Sequence, residues 1–498
     1  MSERITVSKP LIEPVYWQSA PSQQIDLGKV ALEFALDGNA FDAMAQVSMR
    51  FLPDDRLMFT VAPTDESERP PMSVEDKFKA FSAHIGTAGA PVDRTMTEAQ
   101  MKVALAYGFW PGGKWDGKLV LKDRGVTVDA FCVKSGGDGT IEFMPSVSVV
   151  TTTPPANNIA IAKFHLFNFP KFSGPDNYII TSDTQTRHIS TACGRAILKA
   201  DGWVVTIAAT DKTDDLCKAL EAQGGYAITH MGEIKREDGA AFSTHQLDDL
   251  MHCLHAFLSF VLGRWAGLAF PVGFDKAGNK VFEQWGLPST ASGDWHGSKS
   301  WFDEHHGELL AETFPGFLAL WKDSLWHEAL WKATYWYLIA NDSNVDSGLI
   351  LAQTALELLA WTYCVEQRRM ASAQAFGERG GLCAADKLRI LASTLAIPLG
   401  LPAHLDALNA PMPGRKWQDA MDAITGIRNV LVHPHAKTEP PKGSYYEAAK
   451  LSLWYLDLIL LRLCGHKGKY GNRLASPRWT GSVESVPWAN GEPEKAGV

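Results

Sequence analysis

The spacing of hydrophobic and polar positions divides the chain into two regimes. Over the first 300 or so residues the period is two and the runs are short. Val30–Leu36 alternates, and Lys118–Val133 reads as two extended runs around Asp123-Arg124-Gly125, a hairpin signal. Ala160–Phe167, Trp203–Ile207 and Tyr226–Phe242, with a turn at Asp238-Gly239, extend the pattern. Strands this short, bounded by Gly, Pro and Asp, suit a sandwich or irregular barrel more than βαβ units. One amphipathic helix interrupts them near 245–263, where Leu247, Leu250, Met251, Leu254, Phe257, Leu258, Val261 and Leu262 recur at helical spacing. A hairpin across Asp275–Gly278 and a Gly/Ser/Trp-rich connector at 286–302 follow.

From about Phe314 the period becomes helical. Leu325–Ala340 is aromatic-rich, and Ser347–Arg368 is apolar on nearly every face, which predicts a central helix. Ala384–Leu395 is a shorter helix, ended by Pro398 and Gly400. Gly414–Val432 is another, and Tyr445–Cys464 is again apolar nearly all round. The predicted fold is α+β and multidomain: a β-rich region over 1–310, an all-α bundle over 311–475, and a polar, disordered tail over 476–498.

Composition narrows the function classes. The 498 residues are 46% hydrophobic and 21% charged, ordinary for a folded protein. No uninterrupted apolar run reaches the roughly 18 to 20 residues of a membrane span, and the N-terminus lacks an apolar h-region. Cysteines 132, 193, 217, 253, 364, 383 and 464 are dispersed with no CxxC pair, which predicts reduced thiols in a cytoplasm. HExxH, GxxxxGK[ST], GxSxG and GxGxxG are all absent from the sequence, so zinc protease, P-loop, hydrolase and dinucleotide readings lack their anchors. The net charge of −9 argues against a uniformly nucleic-acid-binding surface. Yet Ala410–Thr480 holds eleven Lys/Arg against five Asp/Glu, enough local positive charge to hold a polyanion.

Within that basic segment lies Arg428-Asn429-Val430-Leu431-Val432-His433, followed by Pro434. At 100° per residue Arg428 falls about 20° from Trp417 and about 40° from Ile424, on the apolar stripe of its helix. A guanidinium there cannot shed its proton, so it requires an anionic or hydrogen-bonding partner. A structural partner is Glu357 of the central helix, with Gln353 one turn earlier on the same face. A functional partner is phosphate. Proline disfavours helical geometry in the residue before it, so the helix should end near Val432 and free His433 from its face. An arginine that holds phosphate and a histidine that moves protons at neutral pH suit phosphodiester cleavage. With RNA the 2′-hydroxyl can be the nucleophile, so neither metal nor cofactor is required. Asn429 points away from the stripe toward solvent or a partner chain, and His435 could substitute for His433 or cap the turn. Elsewhere Asp248, His252 and His255 could place ligands on one side of their helix, but no fourth metal ligand suggests itself. His305-His306 in the connector is weaker still.

The Arg-Asn-x-x-x-His string at the end of the penultimate helix resembles the HEPN ribonuclease family. Ala355-Leu356-Glu357-Leu358-Leu359 is similar to that family's central helix, and Asp386-Lys387-Leu388 to the helix after it. Gly465–Arg473 is similar to the tail of HEPN domains in ApeA-type anti-phage proteins, which also carry a β-rich N-terminal region. The resemblance covers about 320–475. It implies a metal-independent endoribonuclease acting as a homodimer or larger assembly, with Arg428, His433 and Asn429 catalytic and Glu357 and His435 supporting. It also implies an RNA substrate, a role in anti-phage defence, and a phage-derived trigger sensed by the N-terminal region. The alternative is a non-catalytic HEPN-like module for nucleotide binding or oligomerisation, with a β-rich ligand-sensing region.

Overall fold

A computed structural model describes residues 12–36, 39–51, 56–62, 116–135, 140–174, 179–182, 185–188, 194–286, 295, 300–377, 381–411, 416–433 and 440–489. The chain is α+β and multidomain. Its first six strands close an antiparallel barrel: β1 (Ile25–Leu36), β2 (Asn39–Arg50), β3 (Arg56–Val61), β4 (Asp116–Leu121), β5 (Val126–Ser135) and β6 (Ile141–Pro145). Their order is β1-β2-β3-β6-β5-β4, with β4 returning to β1. The alternation read from the sequence is what fills it: Val30, Leu32 and Phe34 point inward with Leu119, Leu121 and Phe143. The hairpin predicted at Asp123-Arg124-Gly125 joins β4 to β5.

Instead of a sandwich, the rest of the β region is one seven-stranded antiparallel sheet. It comprises β7 (Val149–Thr151), β8 (Ile161–Phe167), β11 (Arg195–Ala200), β12 (Trp203–Ala209), β13 (Ile228–Arg236), β14 (Gly267–Phe274) and β15 (Lys280–Gly286). Their order is β11-β12-β13-β8-β14-β15-β7, and a small separate hairpin pairs β9 (Ile179–Ser182) with β10 (Gln185–His188). Period two assigns the two faces of the sheet to different cores. Phe167, Met231, Phe270 and Trp285 join the barrel core, while Phe164, Leu166, Val205 and Ile234 face the helices. Barrel and sheet are also pinned by polar contacts. The buried Glu283 carboxylate accepts from Arg124 Nη1 at 2.7 Å, Lys280 Nζ at 2.6 Å and the Tyr16 hydroxyl, and Trp285 Nε1 donates to that hydroxyl at 3.0 Å.

Two helices interrupt the strands, where one was expected. Helix α1 (Thr213–Gln223) buries Thr213 and only three apolar residues, Leu216, Cys217 and Leu220, too few to stand out in the sequence. The anticipated helix is α2 (Thr244–Leu262). Its start is set by a reciprocal capping box, Ser243 Oγ accepting from Gln246 N and Gln246 Oε1 accepting from Ser243 N. Gly263, at φ +69°, closes its end.

The helical part holds α3 (Glu308–Lys322), α4 (His327–Asp342), α5 (Val345–Trp361), α6 (Ala384–Thr394), α7 (Ala420–Val432) and α8 (Ser444–Leu463). A π-helical turn, Thr362–Gln367, prolongs α5, so the central helix spans nearly the predicted length. By mean hydropathy, Val345–Gln367 is long and apolar enough to cross a membrane. Here Ala352, Ala355, Leu356 and Leu359 are fully buried in the protein core instead. Gly316 lets α3 approach the end of α8: a Cβ there would sit 1.7 Å from the Cys464 carbonyl oxygen.

The C-terminal segment departs from expectation. Residues 476–489 are not a disordered tail; they fold back, pairing β16 (Lys469–Tyr470) with β17 (Glu484–Ser485) and burying Val486 and Trp488. The bulky apolar side chains Trp488 and Val486 outweigh the polar composition around them, and Trp488 Nε1 donates to the His466 carbonyl at 2.6 Å.

Candidate functional site

Helix α7 begins at Ala420, six residues later than the sequence reading placed it. Asp419 caps it, accepting from Asp422 N at 2.9 Å, so Trp417 lies before the helix and not on its stripe. The cap is tied to α6, where Arg389 donates to both Asp419 oxygens at 2.6 and 3.2 Å. Burial alone would raise the Asp419 acid, but the Arg389 hydrogen bond and the Asp422 amide hold it below its ordinary range. The first two turns of α7 bury Met421, Ala423, Ile424 and Ile427 against α5, α6 and α8. The last turn emerges from the bundle. Arg428 is half-buried, Asn429 and His433 are exposed, and Val432 is 37% exposed.

The helix ends at Val432, as the proline rule predicted. His433 leaves helical geometry at φ −123° and ψ 72°, with its amide donating to the Asn429 carbonyl at 2.9 Å. Asn429 therefore touches both flanking residues, since its side-chain oxygen accepts from Arg428 Nη1 at 3.4 Å. Pro434 and His435 lie outside the described residues.

The expected structural partner of Arg428 is engaged elsewhere. The Glu357 carboxylate accepts from Gln353 Nε2 at 2.7 Å, and among the described residues no carboxylate forms an ion pair with Arg428. Arg428 Nε is buried without a hydrogen-bond partner, as is Gln353 Oε1. A half-buried guanidinium with an unmatched donor is the condition an incoming anion would relieve.

The buried, paired arginine of this bundle is a different residue. Arg473 donates to Asp457 Oδ2 at 2.7 Å and Oδ1 at 3.3 Å, to the Tyr337 hydroxyl at 2.8 Å and to Asn341 Oδ1 at 2.8 Å. It anchors the C-terminal segment to α4 and α8. Arg478 is likewise turned inward, donating to the Ser300 and Phe302 carbonyls. Two of the eleven cations counted in the basic segment are thus committed to the interior.

Of the other candidates, His255 Nδ1 lies 2.8 Å from the Ala266 carbonyl, and burial pushes its pKa down to about 4. Among the described residues no group of three His, Cys, Asp or Glu is arranged to hold a metal ion. His306 pairs with Glu308 at 2.8 Å beside the start of α3, a local contact.

The comparisons follow this architecture. Residues 323–485 match the YopA C-terminal domain family. Residues 155–295 match the YopA central domain family. The first match spans α4 to β17, and the second spans the sheet from β8 to β15. The SPbeta prophage-derived uncharacterized protein YopA of Bacillus subtilis (strain 168) is 29% identical over 302 residues. That similarity covers 59% of this chain and 66% of the relative, just under two thirds of its length. No solved structure matches the chain. Neither domain description names an activity, so the ribonuclease resemblance rests on Arg428–His433 and the helices around it.

Proposed function

We propose that the protein is a metal-independent endoribonuclease of the HEPN type, working in the cytoplasm in defence against phage. One observation carries this reading: Arg428 is half-buried, has no carboxylate partner among the described residues, and shares an exposed helix end with Asn429 and His433. Phosphate is the anion that would complete it. In the proposed reaction the substrate's 2′-oxygen attacks phosphorus and the P–O5′ bond breaks. His433 of one copy takes the 2′-hydroxyl proton, and His433 of a second copy gives a proton to the departing 5′-oxygen. The products are a 2′,3′-cyclic phosphate and a 5′-hydroxyl. Arg428 stabilises the added phosphorane charge, Asn429 orients Arg428, and general acid–base catalysis supplies roughly 10² to 10⁴-fold. Glu357, held by Gln353 on the neighbouring helix α5, is the supporting carboxylate of this reading.

A second reading has its own support. Val432 is exposed, and Val430 and Leu431 are half-buried, so the last turn of α7 presents apolar surface. A non-catalytic HEPN-like oligomerisation module would use the same surface, with the β region as its ligand sensor. Incubating the purified chain with total cellular RNA and a chelator separates the two. The ribonuclease yields cyclic-phosphate ends, and His433→Ala abolishes them with the thermal unfolding midpoint unchanged. Cleavage that survives His433→Ala would remove the catalytic assignment. Absence of cleavage from a protein that self-associates would favour the second reading.

A further inference from the structure

A run of aromatic rings crosses the junction between the sheet and the helices. His255 of α2 stacks on Trp265 at 5.3 Å and 6°. Trp265 in turn meets Trp331 of α4 at 6.0 Å. Trp331 meets Trp321 of α3 edge-on at 6.2 Å, and Trp321 meets His327 at 4.5 Å. The first half of this run belongs to the β region and the second to the helical part. Trp321, Trp331, His255 and His327 border a cavity of about 730 Å³ whose remaining walls come from α2, β14, β15 and β7. That volume is in the range of sites that enclose small organic molecules.

The formal charge of the cavity lining is negative. Its charged lining residues are Asp248 and Asp249, with no lysine or arginine beside them. Partial desolvation at the cavity edge, with the Asp249 charge adjacent, holds the Asp248 acid above its ordinary range despite His252. The two ring nitrogens Nδ1 of His255 and His327 each lie 2.8 Å from a backbone carbonyl, those of Ala266 and Trp321. A carbonyl only accepts, so each Nδ1 carries a hydrogen and both rings are held in place by these contacts. Trp321 and Trp331 are aromatic lining residues of the kind that attract cations over their ring faces. A neighbouring cavity of about 640 Å³ shares Asp249, Trp321 and His327 and does contain cations. Both are already engaged there: Arg236 lies over Trp203 at 4.5 Å, and Lys322 pairs with Asp201.

We propose that the junction cavity binds a small organic cation, an alkylammonium or guanidinium compound of polyamine size, against Trp321 and Trp331 and paired with Asp248 and Asp249. The site uses residues of both parts of the chain, so its occupant would bridge them. It stands independently of any role for Arg428.

Calorimetry and tryptophan fluorescence on the full chain test this, with spermidine, agmatine and tetramethylammonium as probes and adenosine monophosphate as the anionic control. At least one cation should bind saturably and change the tryptophan emission. The double variant Asp248→Asn, Asp249→Asn should weaken it about tenfold or more, the loss of a charge-assisted contact. Both aspartates are exposed, so folding should persist; the single Asp248→Asn variant repeats the measurement if the double variant melts early. Trp331→Leu should weaken binding several-fold and remove part of the fluorescence response. Three outcomes would overturn the proposal: no saturable cation binding up to about 10 mM, affinity unchanged in the aspartate variants, or binding of the nucleotide in place of the cation.

Discussion

Two arginines in one bundle should respond oppositely to truncation, and the contrast tests why Arg428 is unpaired. Arg428→Ala removes a 3.4 Å hydrogen bond at the exposed edge of α7 and eliminates a buried Nε that has no partner. The first loss is worth a few tenths of a kcal/mol at a wet site, and the second change is favourable. Some burial of the aliphatic stem is also lost, so the net cost should stay within about 1 kcal/mol. Arg473→Ala leaves the fully buried Asp457 carboxylate without its cation and strips a donor from Tyr337 and another from Asn341. Removing one partner of a buried pair costs about 3–5 kcal/mol. Hydrogen exchange read by mass spectrometry on the amides of α7 and α8 measures both variants in the full chain. Arg473→Ala should raise exchange through α8 and the C-terminal segment, while Arg428→Ala leaves protection close to the parent. If Arg428→Ala lowers protection as much as Arg473→Ala, Arg428 is a structural group, and the case for phosphate at that position collapses.

Other perturbations probe the frame around the site. Asp419 is held below its ordinary range, so its stabilisation is complete at neutral pH and lost as pH falls through its folded-state value. Denaturation followed from about pH 5 to pH 2 should show an acid-side slope that Asp419→Asn reduces; an unchanged slope would remove the Arg389 pairing from the account. Gly316→Ala pushes a methyl group into the Cys464 carbonyl of α8 and should cost about 1–3 kcal/mol, read as a lowered unfolding midpoint. Glu283→Gln keeps the size of the side chain but leaves Arg124 and Lys280 without their anion. Limited proteolysis should then cut between barrel and sheet faster than in the parent, with α7 and α8 cut at the parental rate.

Much of the fold was legible because its signals are local. The barrel strands alternate, the β4–β5 turn carries Asp-Arg-Gly, and α2 repeats apolar residues at helical spacing over five turns. Helix α1 was missed because three buried apolar side chains in eleven residues make no stripe. The start of α7 was misplaced because Trp417 continues the apolar period across a cap that only Asp419 marks. The tail was misread because composition does not reveal that Trp488 finds a carbonyl acceptor on His466. The C-terminal end of α7 followed from proline stereochemistry, yet the partner of Arg428 did not. Glu357 is the carboxylate embedded in the central helix, but Gln353 shares that helix and reaches it at 2.7 Å across one turn. Arg473 was visible in sequence only as one cation of a basic segment. Its burial depends on Asp457, Tyr337 and Asn341, residues from two helices that only tertiary packing assembles. The aromatic run across the junction was hidden for the same reason, since its rings come from three helices and a loop.

How the β region could govern the last turn of α7 is constrained by the way the core is shared. One continuous hydrophobic cluster runs from Phe164 and Val205 of the sheet, through α2, to Ile424 of α7 and Leu458 of α8. Large apolar interfaces of this kind suppress the domain motion that polar, smaller ones permit. A hinge between β region and bundle is therefore a poor means of control: opening it would expose Phe257, Phe260, Phe314 and Phe317, all fully buried. Control is cheaper at the periphery, where α7 emerges with Asn429, Val432 and His433 exposed. If the active unit needs a second copy, pairing of these ends is the step that can be gated without breaking the core. Active and resting forms should then differ in assembly and not in the hydrogen-exchange protection of α2. Loss of α2 protection on activation would show that the shared core opens, and would return control to a hinge.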